Sequence, residues 1–411
     1  MNYSKNYPWV AVGLLWMVAL LNYLDRQMLA TMKPAMQIDI EELQSATNFG
    51  YLMAVFLWIY GLMSPVSGII ADRLNKKWLI IGSLFVWSLV TLLMGFAQTY
   101  NQLYALRALM GISEALYIPA GLALIAGLHG DKTRSLAIGL HMTGLYLGQA
   151  LGGFGATIAA SFSWQTTFQT FGLVGVVYAM VLVLFLKNDA EPTPVTTLTR
   201  LPRWTDVFGG VSILVVNISF WIILFCFTIP SLPGWAIKNW LPTLFSENLH
   251  IDMTLAGPYS TITTAGSSLL GVIFGGLLAD RWSQTNLRGR IYTSAIGLGL
   301  TIPALILIGS GHTLIHIIGA AFCFGFGFGM FDANNMPIIC QFVAARHRAT
   351  AYGLMNMTGI FAGAVITNVL GRSTDAGTLG SSFAVLAAFV LIAISLQLIF
   401  LRPSTNNYQL K

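Results

Sequence analysis

Four charged residues stand inside stretches that are otherwise apolar. Asp25 and Arg26 lie in LLNYLDRQMLA, Leu20 to Ala30, and Arg107 and Glu114 lie in RALMGISEALYIPAG, Arg107 to Gly121. A charge held in hydrocarbon costs several kcal/mol, about 2.5–3.5 on insertion scales, so charges kept there face a polar cavity and serve a purpose. Guanidinium stays ionised at physiological pH and grips a carboxylate through a planar fork. A carboxyl in a low-dielectric cavity is more easily protonated than one in water. If both stretches line one cavity, two guanidiniums and two carboxyls there suit an organic anion and a proton together, and proton and anion would favour each other's binding. The four charges sum to zero, which makes their burial tolerable. The plainer reading is an ionic cluster that only pins two helices together, although an apolar pair would do that at lower cost.

Spacing limits who can meet whom. Consecutive helical residues point about 100° apart, so Asp25 and Arg26 must reach different neighbours. Arg107 and Glu114 are seven residues apart, nearly two turns, which puts them on one face about 10 Å apart along the axis.

The elements that hold these charges are membrane spans. Of 411 residues, 56% are hydrophobic and 9% charged, against about 25% charged in a soluble domain. Twelve stretches reach the roughly 20 apolar residues a helix needs to cross a bilayer: Trp9–Leu29, Phe49–Ala71, Trp78–Ala97, Leu103–Leu128, Leu136–Ala160, Phe168–Leu186, Val211–Leu244, Leu255–Ala279, Ile291–Gly309, Leu314–Phe342, Ala349–Leu370 and Phe383–Phe400. The seventh is overlong and contains Pro230, Pro233 and Gly234, which predicts irregular backbone there. MNYSKNYPW enters the first stretch without a small-residue cleavage site, so that stretch is expected to be an uncleaved span.

The net charge is +6, but its basic residues fall in short loops, which is the pattern of topology and not of nucleic-acid binding. With both termini in the cytoplasm, 16 of the 21 Lys and Arg residues lie inside, Lys33 and Arg372 lie outside, and Arg26, Arg107 and Lys238 lie within spans. The asymmetry predicts a multi-pass protein of the inner (plasma) membrane with cytoplasmic termini. Cys226, Cys323 and Cys340 have no metal-like spacing and read as small buried hydrophobes.

The chain also repeats. GIIADR, Gly68 to Arg73, recurs as GLLADR, Gly276 to Arg281, and RSLAIGL, Arg134 to Leu140, recurs as RATAYGL, Arg348 to Leu354. The offsets are 208 and 214 residues, close to half the chain. The polar segment Asn188 to Asp206, with Pro192, Pro194 and Pro202, separates six spans from six. The expected organisation is an N-terminal six-helix bundle (1–187), a cytoplasmic linker (188–206) and a C-terminal six-helix bundle (207–411), an architecture of transporters with the substrate near the midplane.

GIIADRLNKK resembles the loop signature of the major facilitator superfamily, with Asn75, Lys76 and Lys77 where that signature has glycine and arginines. The resemblance extends over the whole chain and implies that Asp72 and Arg73, with Asp280 and Arg281 of the second copy, latch the halves; holding the loop inside is the alternative role. Asn22-Tyr23-Leu24-Asp25-Arg26, with Arg107 and Glu114, is similar to the anion:cation symporter branch, which includes bacterial sugar-acid transporters and sialin-like carriers. That resemblance implies that Arg26 and Arg107 contact a substrate carboxylate and that Asp25 and Glu114 carry the coupling proton. Tyr60 and Asn356 also match cavity-lining positions of that branch, and Tyr23 is expected to help hold the ligand. Late in the eleventh span, where the branch often has proline, this chain has Thr367–Asn368.

Other residues are read on their own terms. Lys238 either meets the far end of an anion or snorkels to the outer interface. Asp332, Asn334 and Asn335 in GMFDANNMP either bind substrate hydroxyls or join helices. Gln149 can reach a cavity, and His141 is either a proton ligand or a packed neutral ring. Gly144, Gly148 and Gly152, four apart, read as close helix packing. Gly325, Gly327 and Gly329 do not form a nucleotide loop, because no strand precedes them. Neither a Walker loop nor a zinc motif nor a nucleophile elbow occurs in the sequence.

The expected fold is therefore an all-α membrane protein of twelve transmembrane helices. The expected activity is proton-coupled symport of an organic anion, a hexuronate or aldonate above all, with exchange of organic anions or sugar phosphates, or efflux, as the alternative. No enzyme activity, cofactor, metal or nucleic-acid partner is expected. The partners are the anion, protons and the lipid bilayer, and the chain is expected to act as a monomer.

Overall fold

The computed structural model describes residues 6–130, 133–187, 214, 218–343 and 348–403. Its elements are α1 (Tyr7–Asp39), a 3-10 turn (Glu41–Gln44), α2 (Ala46–Arg73), α3 (Lys76–Met94), α4 (Tyr100–Ala115), α5 (Tyr117–Leu128), α6 (Arg134–Gly152), α7 (Gly155–Ser161), α8 (Trp164–Phe185), α9 (Ile218–Leu249), α10 (Met253–Ser283), α11 (Gly289–Ser310), α12 (Leu314–Asp332), α13 (Asn335–Phe342), α14 (Arg348–Asp375) and α15 (Leu379–Phe400). Among the described residues there is no strand, and eleven helices or helix pairs are long and apolar enough to span a membrane. The fifth predicted stretch, Leu136–Ala160, is covered by α6 and α7 together. Four helices start at a capping side chain: Ser45 accepts from the Asn48 amide, Asn75 from Trp78, Thr99 from Gln102 and Ser163 from Thr166.

Three spans are broken, and proline explains two of the breaks; the third, at Gly153–Phe154 between α6 and α7, has none nearby. The α4–α5 span breaks after Ala115, four residues before Pro119, and the α12–α13 span breaks at Ala333, four residues before Pro337. A proline ring clashes with the carbonyl four residues back and donates no amide to it. Each proline break has a carboxylate beside it, Glu114 in one span and Asp332 in the other. The irregularity expected at Pro230, Pro233 and Gly234 is absent: α9 is one continuous helix. Neighbouring helices and hydroxyl groups can satisfy what a proline frees in such a span.

The chain divides into two compact units. The first comprises Met1–Val195 with Asn239–Ile262 and Thr367–Asp375; the second comprises Thr196–Lys238, Thr263–Ile366 and Ala376–Lys411. In the first unit α1 packs along α6, α3 along α8 and α2 along α4. The α1–α6 seam is the predicted glycine stripe: Gly144, Gly148 and Gly152 face the backbone of Trp16, Leu20 and Leu24. At Gly148 an added Cβ would overlap the Leu20 carbonyl, and backbone on both sides leaves nothing that can move aside. Gly148→Leu is therefore expected to abolish the folded protein, read as loss of the monodisperse peak on size exclusion in detergent. A normal peak and an unchanged melting temperature would contradict that seam.

In the second unit, α11 packs against α12 and α15. Gly297 and Gly327 lie against each other's carbonyls, and Gly309 meets Gly380 in the same way. Gly325 and Gly329 face α10 at Thr264 and Ser268, so the glycine string that looked superficially like a nucleotide loop is a helix-packing surface. The internal repeat is visible in side-chain detail. The Arg134 Nε donates to the His129 carbonyl at 3.4 Å, and the Arg348 Nε donates to the Val343 carbonyl at 3.1 Å. Each arginine reaches back five residues to the cap of the preceding helix, where a cation complements the exposed carbonyls.

Candidate functional site

The first unit brings Asp25, Arg26, Arg107 and Glu114 into one cluster. Arg26 of α1 and Glu114 of α4 form an ion pair, Nε to Oε2, at 2.5 Å. Glu114 is fully buried, while the Arg26 side chain keeps 12% of its exposure. The guanidinium carbon of Arg26 lies 5.1 Å from the Tyr23 ring centre, 4.8 Å from Phe56 and 4.6 Å from Tyr60. Three ring faces thus hold the cation in place. Arg107 is buried, with its guanidinium carbon 4.7 Å from the same Phe56 ring, and its Nη1 donates to the Met110 sulfur at 3.1 Å. Asp25 turns the other way, as helix geometry requires, and accepts from the Thr91 hydroxyl of α3 at 3.4 Å.

The cluster is only partly satisfied. Arg26 Nη2, Arg107 Nε, Glu114 Oε1, Asp25 Oδ1 and Asn22 Oδ1 are buried without a hydrogen-bond partner. Buried polar atoms are normally paired, and an exception calls for a cause such as a ligand or water. Two of the orphans are guanidinium donors, suited to carboxylate oxygens. Two others are carboxyl oxygens, which a proton can satisfy.

Three residues of this cluster escaped the sequence reading as site residues. Asn22 donates to Glu114 Oε2 at 3.0 Å. It stands four residues before Arg26, so the two share a helix face, and that spacing was a usable signal. Phe56 stands four residues before Tyr60 and shares its face in the same way. Thr91 carried no signal; its hydroxyl also bonds the Trp87 carbonyl at 3.0 Å, as a threonine in an apolar helix ordinarily does. Gln149 is buried on α6. His141 is fully buried and meets Tyr117 edge-on, with ring centres 5.9 Å apart.

The second unit holds the remaining candidates. Lys238 is half-buried on α9, 5.0 Å from the Trp235 ring centre. Asn335 donates to Asp332 Oδ1 at 3.0 Å, and buried Asn334 donates to the Met330 carbonyl at 2.9 Å. Asp332 itself is exposed although its neighbour Phe331 is buried. Asn356 is half-buried on α14. In the second loop motif Asp280 accepts from Arg290 at 2.5 Å, and Arg281 is exposed. The side chains of Asp72 and Arg73, the first copy of the proposed latch, lie outside the described residues, as does the segment 188–206.

Known proteins share this fold. The model of the Major Facilitator Superfamily matches residues 15–368. A hexuronate transporter of Escherichia coli is 24% identical over 413 residues, covering 95% of this chain and 93% of that protein. An MFS-type efflux pump of Mycolicibacterium smegmatis is 26% identical over 411 residues, covering 97% and 92%. Among solved structures, a bacterial homologue of the human lysosomal transporter spinster, in an inward-facing and unoccupied conformation, superposes with a TM-score of 0.80 at 18% identity, covering 98% of this chain and 99% of that one. With twelve apolar stretches, a doubled loop motif and a family match over most of its length, the chain belongs to the major facilitator superfamily, a family of multi-pass membrane transporters and not of enzymes.

Proposed function

We propose that this transporter couples an organic anion to a proton, with a sugar acid such as a hexuronate or aldonate as its substrate. The observation that supports this most is the Arg26–Glu114 ion pair with unused guanidinium donors beside it. As it stands, Glu114 occupies Arg26 and the four charges cancel. An incoming carboxylate would make the cluster net negative in a place where charge is costly. A proton taken up by Glu114 restores neutrality and releases Arg26 to the substrate. Binding of either therefore favours the other, and Arg26 with Arg107 takes the carboxylate. Asp25 would serve as a second proton carrier, and Tyr23, Tyr60, Gln149, Lys238, Asn335 and Asn356 would contact the rest of the substrate. The cycle is one of alternating access with both termini cytoplasmic, and Asp72, Arg73, Asp280 and Arg281 would latch it.

Proteoliposomes test the reading. Labelled glucuronate, galacturonate and galactonate should enter faster and accumulate when the outside is made acidic. Uptake of every such anion at a rate indifferent to the gradient would refute proton coupling. The efflux relative supports a second reading, exchange or export. In that case external substrate should speed release of preloaded substrate with no gradient imposed.

A further inference from the structure

Thr367 and its surroundings carry a role that substrate binding does not absorb. In the first unit, the ends of three helices from the second sequence half are fixed to the first half. Thr367 of α14 accepts from Asn239 Nδ2 at 2.8 Å through its hydroxyl, and from Trp240 Nε1 at 3.1 Å through its carbonyl. Gly50 of α2 lies against the Thr367 carbonyl and Gly371, and Trp240 meets Phe49 edge-on at 6.3 Å. On α10, Thr261 donates to the Ala150 carbonyl at 3.0 Å, and Thr157 of α7 donates to the Thr254 carbonyl at 2.9 Å.

The charged element of this seal is Asp375, the last residue of α14. It accepts from the Ala46 amide at 2.7 Å, the Thr47 amide at 2.8 Å and the Ser45 hydroxyl at 2.8 Å. These are the free donors of α2's first turn, which has no acidic residue of its own. A carboxylate from some 330 residues away in sequence thus adds two amide bonds and a counter-charge to a helix start whose local cap is Ser45. One turn earlier, Arg372 donates to the Tyr51 hydroxyl at 2.8 Å. Asp375 is exposed, so water can replace each of these bonds when the helices part. That property suits a contact made and broken in every cycle, unlike the glycine seams, where backbone meets backbone.

We propose that Asp375 and the first turn of α2 form a reversible lock that holds this end of the transporter closed, with Thr367 holding α9 beside it. With both termini cytoplasmic, this is the outer gate. The lock rests on the alternating access proposed above and not on the substrate's identity, so its test uses neither substrate nor proton gradient.

Spin labels at Glu42→Cys and Ser373→Cys, in the full chain without its native cysteines and reconstituted in nanodiscs, report the separation of α2's start from α14's end. Asp375→Ala is expected to raise the longer-distance population about tenfold, the factor given by losing a cap of about 1.4 kcal/mol. Asp375→Asn, which keeps an acceptor but no charge, should fall between, and Ser45→Ala should move the same way by less. Melting temperature and size exclusion identify any variant that fails to fold, and the milder Asp375→Asn then decides. Distance distributions identical to the parent's in folded Asp375→Ala, or in folded Asp375→Asn where the alanine variant misfolds, would overturn the lock.

Discussion

Glu114→Gln is expected to abolish gradient-driven accumulation and to leave exchange intact. Glutamine keeps the shape of the side chain, and its carbonyl oxygen can still accept from Asn22 and Arg26, which now bond Glu114 Oε2. What it removes is the negative charge and the place for a proton. The cluster then carries a net positive charge at every pH, so an anion can enter with no proton beside it. For one proton per anion, a gradient of one pH unit corresponds to about 1.4 kcal/mol and supports up to about tenfold accumulation. The parent protein should approach that ratio under an inward proton gradient, and the variant should stay near one while still exchanging labelled for unlabelled substrate. Accumulation by the variant equal to the parent's would remove Glu114 from the proton pathway and leave Asp25 as the candidate.

Substitution of Arg26 is expected to have the other large effect, and lysine and alanine should differ in kind. Lysine keeps the charge but not the planar fork or the stacking on Tyr23, Phe56 and Tyr60. A hydrogen bond to a charged group contributes about 1.5–3 kcal/mol, so affinity for the anion should fall about tenfold to a hundredfold in Arg26→Lys. Alanine leaves fully buried Glu114 without its ion-pair partner, a loss of about 3–5 kcal/mol, and the melting temperature should drop sharply. Acidification should restore part of that loss, because a neutral carboxyl is far cheaper to bury than a carboxylate. A melting temperature of Arg26→Ala equal to the parent's at neutral pH would mean that the ion pair does not hold α1 to α4.

Much of this was legible in the sequence because membrane physics makes charge placement informative. Asp25, Arg26, Arg107 and Glu114 stood out against apolar runs, and spacing correctly sent Asp25 and Arg26 to different partners, Thr91 and Glu114. The glycine stripe at 144, 148 and 152 and the paired arginines Arg134 and Arg348 were also readable. The helix breaks beside Glu114 and Asp332 were not anticipated, although Pro119 and Pro337 encode them. Pro230 and Pro233 in α9 carry the same local signal with no break, so a proline alone does not settle what the surrounding helices can absorb. Asp375 was invisible for another reason. It acts on donors brought close only by tertiary structure, and its own neighbours in sequence give no hint of a helix start to cap.

The coupling of carboxylate to proton is tested most directly by counting protons at the moment of binding. In weakly buffered detergent solution containing a pH indicator, saturating the purified protein with the sugar acid that most raises its melting temperature should take up about one proton per protein. Glu114→Gln should bind the same compound with no proton uptake. Saturable binding to the parent protein with no change in bound protons, between pH 5 and pH 8, would contradict the coupling of the Arg26–Glu114 pair to the anion.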